Sequence, residues 1–305
     1  MRACRKPRRA TGRFAAAIVL CLTVARAQTQ APPPDNLMAR AHARRRSLED
    51  LELGGDLTGL PAGTTRYLTR EDLLALPQVT YTVTDDPNFP GAAEVSGVLL
   101  EDLMRALAGA PDADLVIAMC GDLYRAHYPQ AYLVAHHPFL GLKVNGQPPE
   151  GWPKAAEDHG QNMGPYLISH PTFKPRFKIL AHADEPQIPW GVVRLEFRSE
   201  KRVFRAIAPP GPRASEPAVQ EGYRIAQQNC LRCHDMGREG GQKARHPWLV
   251  LSAWATASPE YFAAYVRNPR SRNPRAQMDP NPTYDDATLE ALTAYFQTFS
   301  SGEKP

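Results

Sequence analysis

Cysteine is scarce in this chain. The 305 residues include five, two of them within the first 27, and the others are Cys120, Cys230 and Cys233. Three thiols, two of them only three positions apart, do not make the paired framework that staples small exported domains. Long apolar runs are missing as well. After Ala27 none approaches the roughly 18–20 residues needed to cross a bilayer. Residues 1–27 lack any acid but carry Arg2, Arg5, Lys6, Arg8, Arg9, Arg13 and Arg26. The apolar run Phe14 to Val24 follows, and Ala25-Arg26-Ala27 supplies a small-x-small cleavage pattern. This predicts a cleaved secretory signal peptide over 1–27 and a periplasmic protein with no membrane-spanning segment. Arg8-Arg9 lacks the apolar sequel of a twin-arginine signal, and Leu20 stands before Cys21 where a lipid anchor needs a small residue. Of the formal net charge of +4, seven positives lie in residues 1–27, so residues 28–305 stand near −3. A basic nucleic-acid binder is excluded by that sign.

Proline, by contrast, is abundant. The 30 prolines are about twice ordinary usage and predict short elements with many turns. Residues 28–49, rich in Gln, Ala, Pro and Arg, read as a poorly ordered leader. Residues 50–205 read as an α+β domain. Thr69 to Asp72 opens a short helix stopped by Pro77, and Val98 to Leu107 has a helical apolar period. Strands are expected at Val79–Thr84, Leu115–Met119, Tyr132–Val134, Leu142–Val144, Tyr166–Ile168 and Val192–Phe197. Ala208-Pro209-Pro210-Gly211-Pro212 marks a linker over 206–214. An all-α domain is expected from 215 to 305. There Val219, Tyr223, Ile225 and Ala226 share a helix face, Ser258-Pro259-Glu260 starts a helix, and Asp285 and Asp286 precede an amphipathic last one.

The motif with chemical content is Cys230-Leu231-Arg232-Cys233-His234, a C-x-x-C-H. In an exported chain this spacing attaches c-type haem. Two thiols about one helical turn apart each reach a vinyl carbon on one porphyrin edge, and the next residue brings an imidazole to the iron. A thioredoxin-like dithiol would need a βαβ context, and a zinc site would need a second ligand pair nearby. Neither is present.

With this motif, residues from about 215 to 299 resemble a class I cytochrome c. Gly222 lies eight residues before Cys230, where the resemblance implies a close crossing of first and last helices against an aromatic such as Tyr295. His246-Pro247-Trp248-Leu249 resembles the family's proline loop, whose backbone carbonyl orients the proximal imidazole. Met278 lies 44 residues after His234, where the family places its distal ligand; His246 is the rival and Met236 is too close to the attachment site. The implied centre is one covalent haem c, held by Cys230 and Cys233 and ligated by His234 and Met278, with Pro247 in the orienting loop.

The α+β region, over about 67–198, resembles the molybdopterin-binding domain of the sulfite oxidase type. The resemblance rests on Val95-Ser96-Gly97-Val98-Leu99-Leu100, Gly121-Asp122-Leu123-Tyr124, Val144-Asn145-Gly146-Gln147-Pro148 and Gly164-Pro165-Tyr166-Leu167-Ile168. One departure matters. That family holds molybdenum through a cysteine, and Thr80 to Phe89 contains none, while Cys120 falls after the relevant element. A related fold without molybdopterin is expected, with Cys120 as a small buried hydrophobe. His127, His136, His137, His159, His170 and His182 match no standard metal spacing, and His136 and His137 on a strand would point to opposite faces. Asp85-Asp86 and Asp184-Glu185 read as turn and surface acids. The expectation is a periplasmic electron carrier whose first domain docks a redox partner protein or a ligand. The alternatives are a cytochrome-fused molybdenum oxidoreductase and a ligand-binding redox sensor.

Overall fold

The computed structural model describes residues 37–84, 86–155, 161–171 and 187–300. The expected signal peptide, most of the expected leader, and Asp85, His159, His182, Asp184 and Glu185 lie outside them. Among the described residues no helix is long and apolar enough to cross a membrane.

The chain first builds a mixed sheet of nine strands among the described residues. Its main path runs β2 (Arg66–Leu68), β1 (Leu51–Gly55), β9 (Trp190–Arg198), β8 (Tyr166–Ser169), β7 (Phe139–Val144), β4 (Ala93–Leu99), β3 (Val79–Val83). The hairpin β5 (Leu115–Cys120) and β6 (Arg125–Pro129) attaches through β5 to β9. Only the β1–β9 pair is parallel among these ladders. Helices α2 (Arg70–Leu74), α3 (Leu100–Leu107) and α4 (Gln130–His136) accompany the sheet. Thr69 caps α2 through a reciprocal bond pair with Asp72, as its sequence suggested.

Several local expectations are corrected. Val98 and Leu99 end β4 and the helix begins at Leu100, because the alternating burial of Ala93, Val95 and Gly97 belongs to a half-buried strand. Tyr132–Val134 is helical, within α4, and His136 ends that helix while His137 caps it at φ 47°. Tyr132 and Leu133 are buried with Val134 exposed, so the β-propensity of three residues yields to burial of one helix face. Part of the expected leader is ordered. Leu37, in α1 (Leu37–Arg40), is 1% exposed, and His42 pairs by backbone bonds with Tyr67. The strands β1, β2 and β6 and the helix α5 (Glu200–Arg205) had no sequence signal strong enough to find them.

The helical part follows as α6 (Pro217–Gln228), α7 (Trp248–Ala257), α8 (Pro259–Arg267), α9 (Pro269–Arg272) and α10 (Asp286–Gln297). Pro217 and Pro259 occupy first-turn positions, and Asp285 caps α10 by accepting the Thr288 N–H. Ser258 sits at the cap of α8 without a side-chain bond. A mixed-sheet region thus precedes a helical one. The two share a core: Leu115 and Ile117 of β5, and Val203, Phe204 and Ile207, pack with the helical residues. Ile207, inside the expected linker, is buried, and its carbonyl accepts the Tyr295 hydroxyl at 2.5 Å.

Candidate metal centre

The last turn of α6 runs directly into the C-x-x-C-H segment. Asn229, Cys230 and Leu231 still donate to carbonyls of α6. The Cys230 carbonyl then accepts from Cys233 N–H at 3.2 Å and His234 N–H at 3.0 Å. That tight turn sets two half-buried thiols a turn apart, neither in a disulfide. His234 follows, 9% exposed. Its Nδ1 lies 2.5 Å from the His246 carbonyl oxygen. A carbonyl only accepts, so Nδ1 carries the proton and Nε2 keeps its lone pair. The carbonyl belongs to the residue before Pro247, and proline restricts that residue to extended backbone.

Burial dominates the electrostatics. Desolvation pushes the Cys233 thiol up to about 11, opposed by the cations of Arg232 and Lys243 and reinforced by Asp279 and Asp122. Desolvation also holds His234 below its ordinary value, which keeps the ring neutral. Asp279 adjoins Met278, so the loop bearing Met278, which is half-buried, reaches the neighbourhood of Cys233.

The loop after His234 folds back onto the turn. Gly241 donates to the Leu231 carbonyl at 2.8 Å, Ala244 to Cys233 at 3.0 Å, and Trp248 to Asp235 at 2.8 Å. The approach demands glycine. A Cβ on Gly241 would stand 1.8 Å from the Arg232 carbonyl oxygen, and one on Gly240 (φ +90°) 2.6 Å from that of His234. These two glycines carried no reading in the sequence; G-G after C-x-x-C-H was the available signal. Gly222 behaves as the resemblance implied: a Cβ there would lie 2.1 Å from the Ala291 carbonyl oxygen and 2.6 Å from Tyr295 Cβ. Helices α6 and α10 therefore touch backbone to backbone.

The donor set suits a macrocycle. Two thiols on one turn, outside any disulfide, and a neutral imidazole cannot by themselves enclose a bare ion, and no group of three or more His, Cys, Asp or Glu side chains among the described residues could do so. A porphyrin brings four nitrogens of its own and asks for what is here: two thiols for its edge and one imidazole. Cys120 is buried at the end of β5, and desolvation pushes its thiol well above the ordinary range. The remaining described histidines are structural in their contacts. His170 meets the Tyr132 hydroxyl at 2.9 Å, His136 lies against Tyr132, His137 pairs with Glu101, and His127 is fully buried beside Phe204.

Comparison with known proteins agrees for the helical part. Residues 217–296 match the family model of cytochrome c oxidase, cbb3-type, subunit III. No curated protein sequence matches the chain. Among solved structures, the sulfane dehydrogenase SoxCD from Paracoccus pantotrophus matches at 16% identity with a TM-score of 0.31, covering 52% of this chain and 40% of that one. The chain thus spans about two fifths of the solved chain's length. The C-terminal part of this protein is a cytochrome c-type domain, similar to the cbb3-type subunit III family over residues 217–296.

Proposed function

We propose that this chain is an exported one-electron carrier with a single covalent haem c. The observation that carries the reading is the bond from His234 Nδ1 to the His246 carbonyl beside two thiols that are not in a disulfide. In this reading Cys230 and Cys233 anchor the group irreversibly, so dilution outside the cytoplasm cannot remove it. His234 offers Nε2 as the proximal ligand, and Pro247 keeps the His246 carbonyl where it holds the ring. The same carbonyl bond places the His246 backbone behind the proximal ring, which disfavours its imidazole as the second axial ligand. Met278 is the remaining donor, and its thioether favours ferrous iron relative to a second imidazole. A haem so ligated supplies reversible one-electron transfer. The sheet region serves to dock a periplasmic redox partner protein, and the lack of a cysteine in Thr80 to Phe89 supports its working without molybdopterin.

The test is the holoprotein itself, produced with c-type maturation machinery. It should be red, show a Soret band that survives acid–acetone extraction, and contain one iron per chain without stoichiometric molybdenum. Colourless protein under those conditions ends the proposal. Stoichiometric molybdenum, with haem reduction on adding an oxidisable small substrate, would replace it with the fused-oxidoreductase reading.

A further inference from the structure

Among the described residues, strand β6 pairs with β5 on one side and with no strand on the other. In an antiparallel ladder alternate residues turn their N–H groups outward, and an open edge of this kind must be covered or blunted. At Arg125, His127 and Pro129 the outward positions are each dealt with. The Arg125 N–H donates to the Arg232 carbonyl, inside the C-x-x-C-H segment, at 2.9 Å. The His127 N–H donates to Gln187 Oε1 at 2.9 Å. Pro129 has no N–H to satisfy. The edge of the sheet is therefore closed partly by the attachment turn itself.

Further bonds tie the hairpin to the same segment. The Arg125 guanidinium donates to the Arg238 carbonyl at 3.1 Å. At the hairpin tip, the Leu123 carbonyl accepts the Gln242 N–H at 3.0 Å, and Asp122 pairs with Lys243 at 2.8 Å. Upstream, Gln187 Nε2 donates to Gln228 Oε1 at 2.5 Å, two residues before Cys230. The attachment segment is thus held before, within and after its two thiols by residues of the sheet region.

We infer that the β5–β6 hairpin is a positioning element of the haem-attachment loop, with Arg125 as its principal positioning residue. The sheet region then sets how tightly the loop closes and where the Arg125 and Lys243 cations stand against it. A partner or ligand that shifts the hairpin would be felt as a change in redox potential. The sign follows from electrostatics. Reduction adds one negative charge, so a nearby cation favours the reduced form, and a closed loop excludes the water that favours the oxidised one. Loosening the hairpin lowers the potential on both counts.

This inference rests on the haem reading, and the experiment separates the two. Full-length holoprotein is compared with Arg125→Ala and Arg125→Lys by amide hydrogen exchange and potentiometric titration. Arg125→Ala, which keeps the backbone bond to Arg232 but removes the guanidinium bond to the Arg238 carbonyl, should make the Gln242 amide exchange about tenfold faster and lower the midpoint potential, while Arg125→Lys, which keeps a charged donor, should restore most of both. If Arg125→Ala yields no holoprotein, Lys243→Gln decides, since that pair is half exposed and its loss leaves the core intact. Faster exchange without a lower potential, or unchanged exchange in the deciding variant, overturns the inference while leaving the haem reading standing. A wild-type chain without haem fails the earlier proposal instead.

Discussion

His234 Nδ1 and the His246 carbonyl oxygen lie 2.5 Å apart across a twelve-residue loop. That contact selects the tautomer and the ring orientation, and so decides which nitrogen a metal can use. The loop between them closes because Gly240 and Gly241 admit backbone atoms that a side chain would exclude.

Met278 is expected to supply the opposite axial donor. Ferric His/Met haem has a weak sulfur-to-iron band in the near infrared. Met278→Ala should abolish that band and lower the midpoint potential, with Cys230 and Cys233 still attached. A spectrum indistinguishable from wild type would assign the ligand elsewhere.

Removing one anchor should leave a weaker product rather than a normal one. Cys230→Ala is expected to give haem held by a single thioether, or an unstable chain, because a bound prosthetic group contributes folding free energy to a small domain. Periplasmic yield and the reduced α-band position of a pyridine haemochrome measure this. Normal yield with an unshifted band would contradict two-point attachment.

The contact of α6 with α10 depends on a missing side chain at Gly222. Gly222→Val must displace one helix from the Ala291 carbonyl, at a cost of about 1–3 kcal/mol. A denaturation series followed at the Soret band reads this directly. A midpoint equal to that of wild type would mean that the helices do not cross so closely.

His127 supplies a pH dependence. Burial, with Arg125 next in effect, brings its ring down to about 3, and neither ring nitrogen has a hydrogen-bond partner among the described residues. The unfolded chain therefore binds a proton that the folded one refuses, and stability falls as pH drops from about 6.5 towards 3. His127→Phe should remove this loss, gaining about 2 kcal/mol over wild type near pH 4.5. Denaturation at pH 7 and pH 4.5 checks it: an equal mutational difference at the two values would show that His127 does not titrate in this way.

Much of this was legible along the chain, and for a physical reason in each case. C-x-x-C-H is a local device, since one turn of backbone determines where two thiols and an imidazole stand. Caps and breakers act over a few residues too, so α2, α8 and α10 began where Thr69, Ser258-Pro259 and Asp285 indicated. Strongly β-branched runs such as Val79–Val83 needed no partner to declare themselves. Tyr132–Val134 failed because three residues cannot distinguish a strand from one face of a helix. β6 escaped notice because Arg-Ala-His-Tyr-Pro has little intrinsic preference and is made a strand by its ladder with β5.

The sequence by itself therefore determined the spacing of two thiols and an imidazole on one turn, the helix starts and the change from sheet to helix near the proline run. Only the tertiary structure decided that Arg125 of β6 lies on Arg232, that Gln187 reaches Gln228, and that Leu115 and Ile117 share a core with α6 and α10. These pairings join residues that stand far apart in the chain. No local propensity encodes them, because they follow from satisfying an open strand edge and burying apolar surface once the whole chain has folded.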